Sequence, residues 1–180
     1  MFIARENRKR NIAEYLIYMF QVEDSIRACD FEMDKIEKHI ISQYKQTENI
    51  KEEIRNWYSN LMVMMYEEDI LKSGHMKILQ SIVDELDDLH KNLLYQKKDE
   101  KYIELYAHAS PNLAAFRATI KEKDKTDIDV SFHALYSLLL IRLKQQKVSE
   151  ETRLAMQTFS NMLAYLSDKF KNIEEGREEI

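Results

Sequence analysis

A chain of 180 residues carries 32 acidic against 27 basic side chains, a net charge of -5 spread along its length. Two glycines and one proline are too few for the turns of a β-rich fold, and the mixed, slightly acidic charge argues against a groove that tracks phosphates. The single Cys29 excludes a disulfide framework and cysteine-based zinc sites, which leaves an all-α chain: one domain over 1–180, six or seven helices, and a polar C-terminal tail at 171–180.

The first helix is predicted over residues 3–29, where Ile12, Leu16, Met19, Phe20 and Ile26 recur at three- and four-residue spacing. Glu23 falls on the same stripe and has no partner on its own face, whereas Asp24 sits three residues before Arg27, close enough for a local ion pair. Glu14 interrupts the only candidate h-region, so no signal peptide is expected and a cytoplasmic location is the default. Arg5, Arg8, Lys9 and Arg10 near the start and Glu174, Glu175, Glu178 and Glu179 near the end carry opposite charge. The two termini could therefore lie side by side; two solvated charge runs are the plainer alternative.

A second helix is predicted over 32–44 with Asp30 as its N-cap, and a third over 47–71 with Ile54, Trp57, Leu61 and Met64 inward. Ser73-Gly74 breaks the pattern, with Gly74 as a C-terminal cap. A fourth helix over 75–95 would return antiparallel to the third, with Asp84, Glu85, Asp87 and Asp88 on its outer face. A fifth opens at Asp99 and restarts at Ser110-Pro111, its apolar face running to about Lys123. The polar stretch 122–127 is a loop ending in an Asp127 cap. Ser149 caps the amphipathic last helix.

Between them lies 130–143, VSFHALYSLLLIRL, ten of whose fourteen residues are apolar and fall on every face of a helix. Such a helix is expected to be enclosed on most sides, which makes 128–146 the central helix of the fold; it is too short to cross a bilayer, which takes about 20 apolar residues. It holds two polar residues of interest. His133 is the candidate polar residue of a ligand pocket, with a hydrogen-bonded core histidine as the bland alternative. Arg142 is the candidate partner of Glu23, because a buried carboxylate needs a paired cation; otherwise Arg142 extends its charge out to water.

Metal chemistry finds little support. Asp87 and His90 stand at i, i+3 and Glu104 and His108 at i, i+4, a poor match to the repeated Glu-x-x-His of di-iron bundles, so neither metal nor cofactor is expected. No GxSxG elbow, glycine-rich phosphate loop or HExxH helix occurs.

The opening MFIARENRKRNIAEYLIYMFQVEDSIRA and the later block HALYSLLLIRLKQQKVSEETRLAM resemble domain of unknown function family 4924. The resemblance implies a bacterial origin and one helical domain of this length, with no assigned activity and no residue roles. The expected function is a non-catalytic interaction module that self-associates as a homodimer, with no nucleic acid or membrane partner and an unknown ligand. Two alternatives stand beside it. One is a metal- or His-dependent enzyme using Glu23 and His133 inside the bundle; the other is binding of nucleic acid or an anionic surface through the basic N-terminus.

Overall fold

A computed structural model describes residues 2–120 and 124–179. Among them the chain forms α1 (Phe2–Arg10), α2 (Ile12–Ala28), α3 (Met33–His39), α4 (Glu48–Glu67), α5 (Lys77–Lys91), α6 (Glu100–Arg117), α7 (Asp127–Leu143) and α8 (Glu150–Glu174). A 3-10 turn at Ile41–Gln43 and a π-helical segment at Asn92–Gln96 complete the order, and no strand occurs among the described residues. The all-α class therefore holds, with eight helices instead of six or seven. No helix among the described residues is long and apolar enough to cross a membrane.

The extra helix comes from a break that hydrophobic periodicity does not register. Asn11 leaves the helical backbone (φ -154°, ψ 115°) and its side chain accepts the Glu14 N–H at 3.0 Å, so α2 has its own N-cap. The expected break at Pro111 does not occur: α6 runs through it. Pro111 and Ala107, the residue whose carbonyl loses its donor, both lie on the exposed face, where water can take the freed acceptor. Asp30 takes a left-handed backbone in the turn before α3, and Glu32 occupies the cap position. Thr126, not Asp127, caps α7, in a reciprocal box with Asp129. Of the loop expected over 122–127, residues 122 and 123 lie outside the described residues.

Ten-residue-scale hydrophobic patterning does identify the packing faces. Along α8, Met156, Phe159, Met162, Leu163, Leu166 and Phe170 are buried, and this one stripe packs against α2, α5, α6 and α7. The stretch 171–174, expected in a polar tail, continues α8. Arg8 of α1 donates two hydrogen bonds to Glu174, at 2.8 and 2.5 Å, and lies 5.8 Å from the Phe170 ring centroid. The chain ends are thus joined within one protomer by a bidentate pair. By contrast, α4 packs chiefly on α2 and α3, and a long connection over 68–76, not a tight turn, leads to α5. That connection becomes part of the candidate site.

The expectation of a central, enclosed helix needs correction. α7 touches α2, α5, α6 and α8, and Ile128, Val130, Phe132 and Ala134 are buried. From Leu139 onward no residue of α7 is buried, Arg142 is exposed, and Leu143 keeps 57% of its surface. The helix is apolar on all sides, yet one flank faces a cleft. Its surplus apolar side chains become the wall of that cleft.

Candidate functional site

The cleft lies between α2, the 68–76 connection, the start of α5 and the open flank of α7, and has a volume of about 320 Å³. Phe20, Val83, Ile120, Phe132 and Leu140 form its apolar surface. Polar groups converge on it from His75, Asp24, Arg27, His133 and Tyr136.

Glu23 is 0% exposed, and its two carboxylate oxygens are each committed. One accepts from His75 Nδ1–H at 2.6 Å and the other from the Met76 N–H at 2.8 Å. Met76 is the N-cap of α5, so the carboxylate also sits where that helix's unpaired N–H groups favour negative charge. The His75 ring stacks on Phe20, with centroids 3.7 Å apart and planes at 26°. Its side chain stays 34% exposed, and Nε2 has no protein partner among the described residues. The carboxylate therefore fixes the tautomer and the ring fixes the direction. Nε2 is left free to accept a proton, or to donate one once the ring is protonated.

Arg27 holds the same connection from the next turn of α2. Its guanidinium donates to the Ile70 carbonyl at 3.1 and 3.3 Å, to the Gly74 carbonyl at 2.5 Å and to Asp24 at 2.8 Å. Asp24 also accepts from the Tyr136 hydroxyl at 2.6 Å, which ties α7 to α2, and Tyr136 is raised to well above the usual phenol value, first by burial and then by Asp24. The Asp24–Arg27 pair expected from the spacing is present, but the larger share of Arg27's bonds goes to backbone carbonyls far along the chain. Gly74, at φ +93°, is part of this anchored turn and not the cap of α4.

The three site residues named from the sequence are distributed unequally. Glu23 is buried in the wall, reaching the cleft through His75. His133 lines the cleft but is exposed, its ring edge-on to Phe116 at 5.9 Å. Arg142 is outside the site: it lies in the last turn of α7, where a cation suits the helix dipole, and has no part in neutralising Glu23. His75 was missed, because its partner lies 52 positions away. The only sequence signal was a carboxylate on a buried stripe with no local cation.

A second polar cluster sits on the far side of α5. Asp87 and His90 are each 5% exposed, contrary to the outer-face assignment of Asp87, which pairs with Lys91 at 2.6 Å. His90 Nδ1 lies 2.7 Å from the hydroxyl of the fully buried Tyr102. Tyr106, pushed up to about 12 by burial and by Asp127, donates to Asp127 at 2.7 Å, and Arg117 pairs with the same carboxylate. Burial lowers the His90 pKa from its ordinary 6.5, with Asp127 and Asp87 opposing. The neutral ring is thus favoured in the fold, and its contribution is complete above pH 6.5 and lost as the pH falls through the lower folded value. Urea melts from pH 7 to about pH 5 should show falling stability, and a shallower fall in His90→Gln, which can still bond Tyr102. Parallel curves for the two proteins would remove His90 as the cause.

Another concavity, of about 590 Å³, runs over Leu89, Asn92, Phe170 and Ile173. It is larger than the cleft but is lined by no histidine, and its one fixed carboxylate, Glu174, is spent on Arg8. Among the described residues, no group of three or more His, Cys, Asp and Glu side chains is placed to hold a metal ion.

The model of the family described as Domain of unknown function (DUF4924) matches residues 1–177, nearly the whole chain. The chain belongs to this family. No curated protein and no solved structure gives a match. Membership in DUF4924 thus brings no residue roles with it, and the cleft is characterised by its own geometry.

Proposed function

We propose that the protein binds a small molecule in the α2–α5–α7 cleft and that His75, oriented by Glu23, exchanges a proton with it. The supporting observation is the pair itself: a carboxylate with no solvent exposure spends one oxygen on aiming an imidazole whose other nitrogen is unpartnered at the cleft. The cleft volume falls at the small end of ligand cavities, about 300–1,000 Å³, and its walls combine apolar side chains with a few convergent polar groups. Proton transfer by a positioned histidine is the chemistry such a pair performs best. This is a form of the His-dependent alternative named from the sequence, with His75 in place of His133 as the histidine beside Glu23.

A fragment screen followed by histidine ring resonances tests it. Ligands are expected to shift His75 and His133, and His75→Phe, which keeps a ring against Phe20, is expected to abolish their binding. Ligands that instead shift only residues around Leu89 and Phe170 would remove the proposal.

A non-catalytic module acting as a homodimer is the second reading. It is supported by exposed Phe2 and Ile3 on α1, where Phe2 shares a groove with Trp57 and Ile54 of α4. Light scattering after size exclusion would retire it by giving the mass of one chain.

A further inference from the structure

From the charges around the cleft we infer that its ligand carries an anionic head, a carboxylate or phosphate, on an apolar body the size of one ring or branched alkyl group. The inference rests on the ligand-binding proposal above and adds the chemical class.

Asp24 is paired with a cation, and Asp129 is engaged through one oxygen in the cap of α7. Asp24 accepts from Arg27 at 2.8 Å and from Tyr136 at 2.6 Å. Asp129 accepts from the backbone N–H and the hydroxyl of Thr126, at 3.2 and 3.0 Å, and from Gln80 at 3.5 Å. Arg27 in turn is consumed by Asp24 and the two loop carbonyls. Lys72 is different: it lines the cleft from the 68–76 connection, is exposed, and has no ion pair among the described residues. His75 and His133 add two rings with unpartnered nitrogens. Apart from Asp129 Oδ1, which meets only the Gln80 amide at 3.5 Å, the groups still able to bind are therefore cationic or can become so.

Protonation of His75 completes the arrangement. Nδ1–H stays on Glu23, whose charge is offset within the pair, and Nε2–H turns from acceptor to donor. An anion held by Nε2–H and Lys72 would gain charge-assisted hydrogen bonds, while Val83, Phe132 and Leu140 cover its apolar part. A cationic ligand would face Lys72, with only the Asp129 oxygen beside Gln80 in return.

Three ligands with one ring and different heads decide the matter: 3-phenylpropionate, phenyl phosphate and phenethylamine, each titrated while the His75 and His133 resonances are followed. The acids are expected to bind about tenfold tighter than the amine, and the stronger of the two identifies the head. Lys72→Glu, on an exposed loop position, is expected to weaken the acids by about fivefold or more and to favour the amine. Equal binding of all three, or acid binding indifferent to Lys72→Glu, would overturn the anionic class and leave the ligand-binding proposal standing. Failure of all three to move either histidine would overturn both.

Discussion

Glu23→Leu is expected to cost about 2–4 kcal/mol of folding stability, the buried Met76 N–H losing its acceptor in full and the partly exposed His75 only in part. Leucine fits the stripe of α2 in volume, so the loss does not come from packing. It comes from the Met76 N–H and His75 Nδ1–H, which lose their acceptors together and release the connection that leads into α5. Glu23→Gln keeps one acceptor for the Met76 N–H and is expected to lose only about 1–2 kcal/mol. Arg142→Met is expected to change stability by less than about 0.5 kcal/mol, as for an exposed side chain without a buried partner. Adding it to Glu23→Leu should give a simple sum, since the two residues share no contact. Urea melts of the four variants check this. A cost below about 1 kcal/mol for Glu23→Leu, or strong coupling to Arg142, would contradict the geometry.

Phe132→Ala should cost about 3–5 kcal/mol and Leu143→Ala less than about 0.5 kcal/mol, although both belong to the same apolar helix. Phe132 is 2% exposed and stands edge-on to Phe20, ring centroids 6.3 Å apart, so its removal opens a void that the surrounding helices cannot close. Leu143 is 57% exposed and leaves nothing behind. The contrast measures how far enclosure extends along α7. Comparable losses at the two positions would mean that the helix is enclosed to its last turn. Because Phe132 also lines the cleft, its replacement should weaken ligand binding as well, whereas Leu143→Ala should leave it unchanged.

The error over α7 has a definite cause. Apolar residues on every face of a helix indicate that it is surrounded by something, and protein is the usual something. They do not distinguish a packed neighbour from a ligand cavity, since both present low-polarity surroundings to Leu140 and Phe132. A similar ambiguity affected Glu23. Its position on a buried stripe correctly marked it as a group needing a partner, but the partner's identity depends on which distant segment the fold brings to that face. Arg142 was the nearest plausible cation on an apolar helix; His75, in a connection between helices, had no periodic pattern to mark it. Asp87 was misplaced for a related reason. It sits among three other acidic residues on α5, and the run hides that this one turns toward His90 and Lys91.

What the residues determine locally is therefore the class and most of the helix faces. Scarcity of glycine and proline, the stripes of α2 and α8, and the caps at Asp99 and Ser149 act within a few residues, so their outcome is contained in the string itself; on α4 the face is turned by one residue, burying Tyr58 and Met65 where Trp57 and Met64 were expected. The His75–Glu23 pair, the loop anchored by Arg27 and the cleft along α7 belong to the tertiary structure alone, which also selects the Arg8–Glu174 pair from the opposite charge runs that the two ends present in the sequence. Each joins segments tens of residues apart, and the energy that brings them together is the non-directional burial of apolar surface. Burial of that kind selects which faces meet without specifying, from any one stretch, which polar groups will be carried into contact.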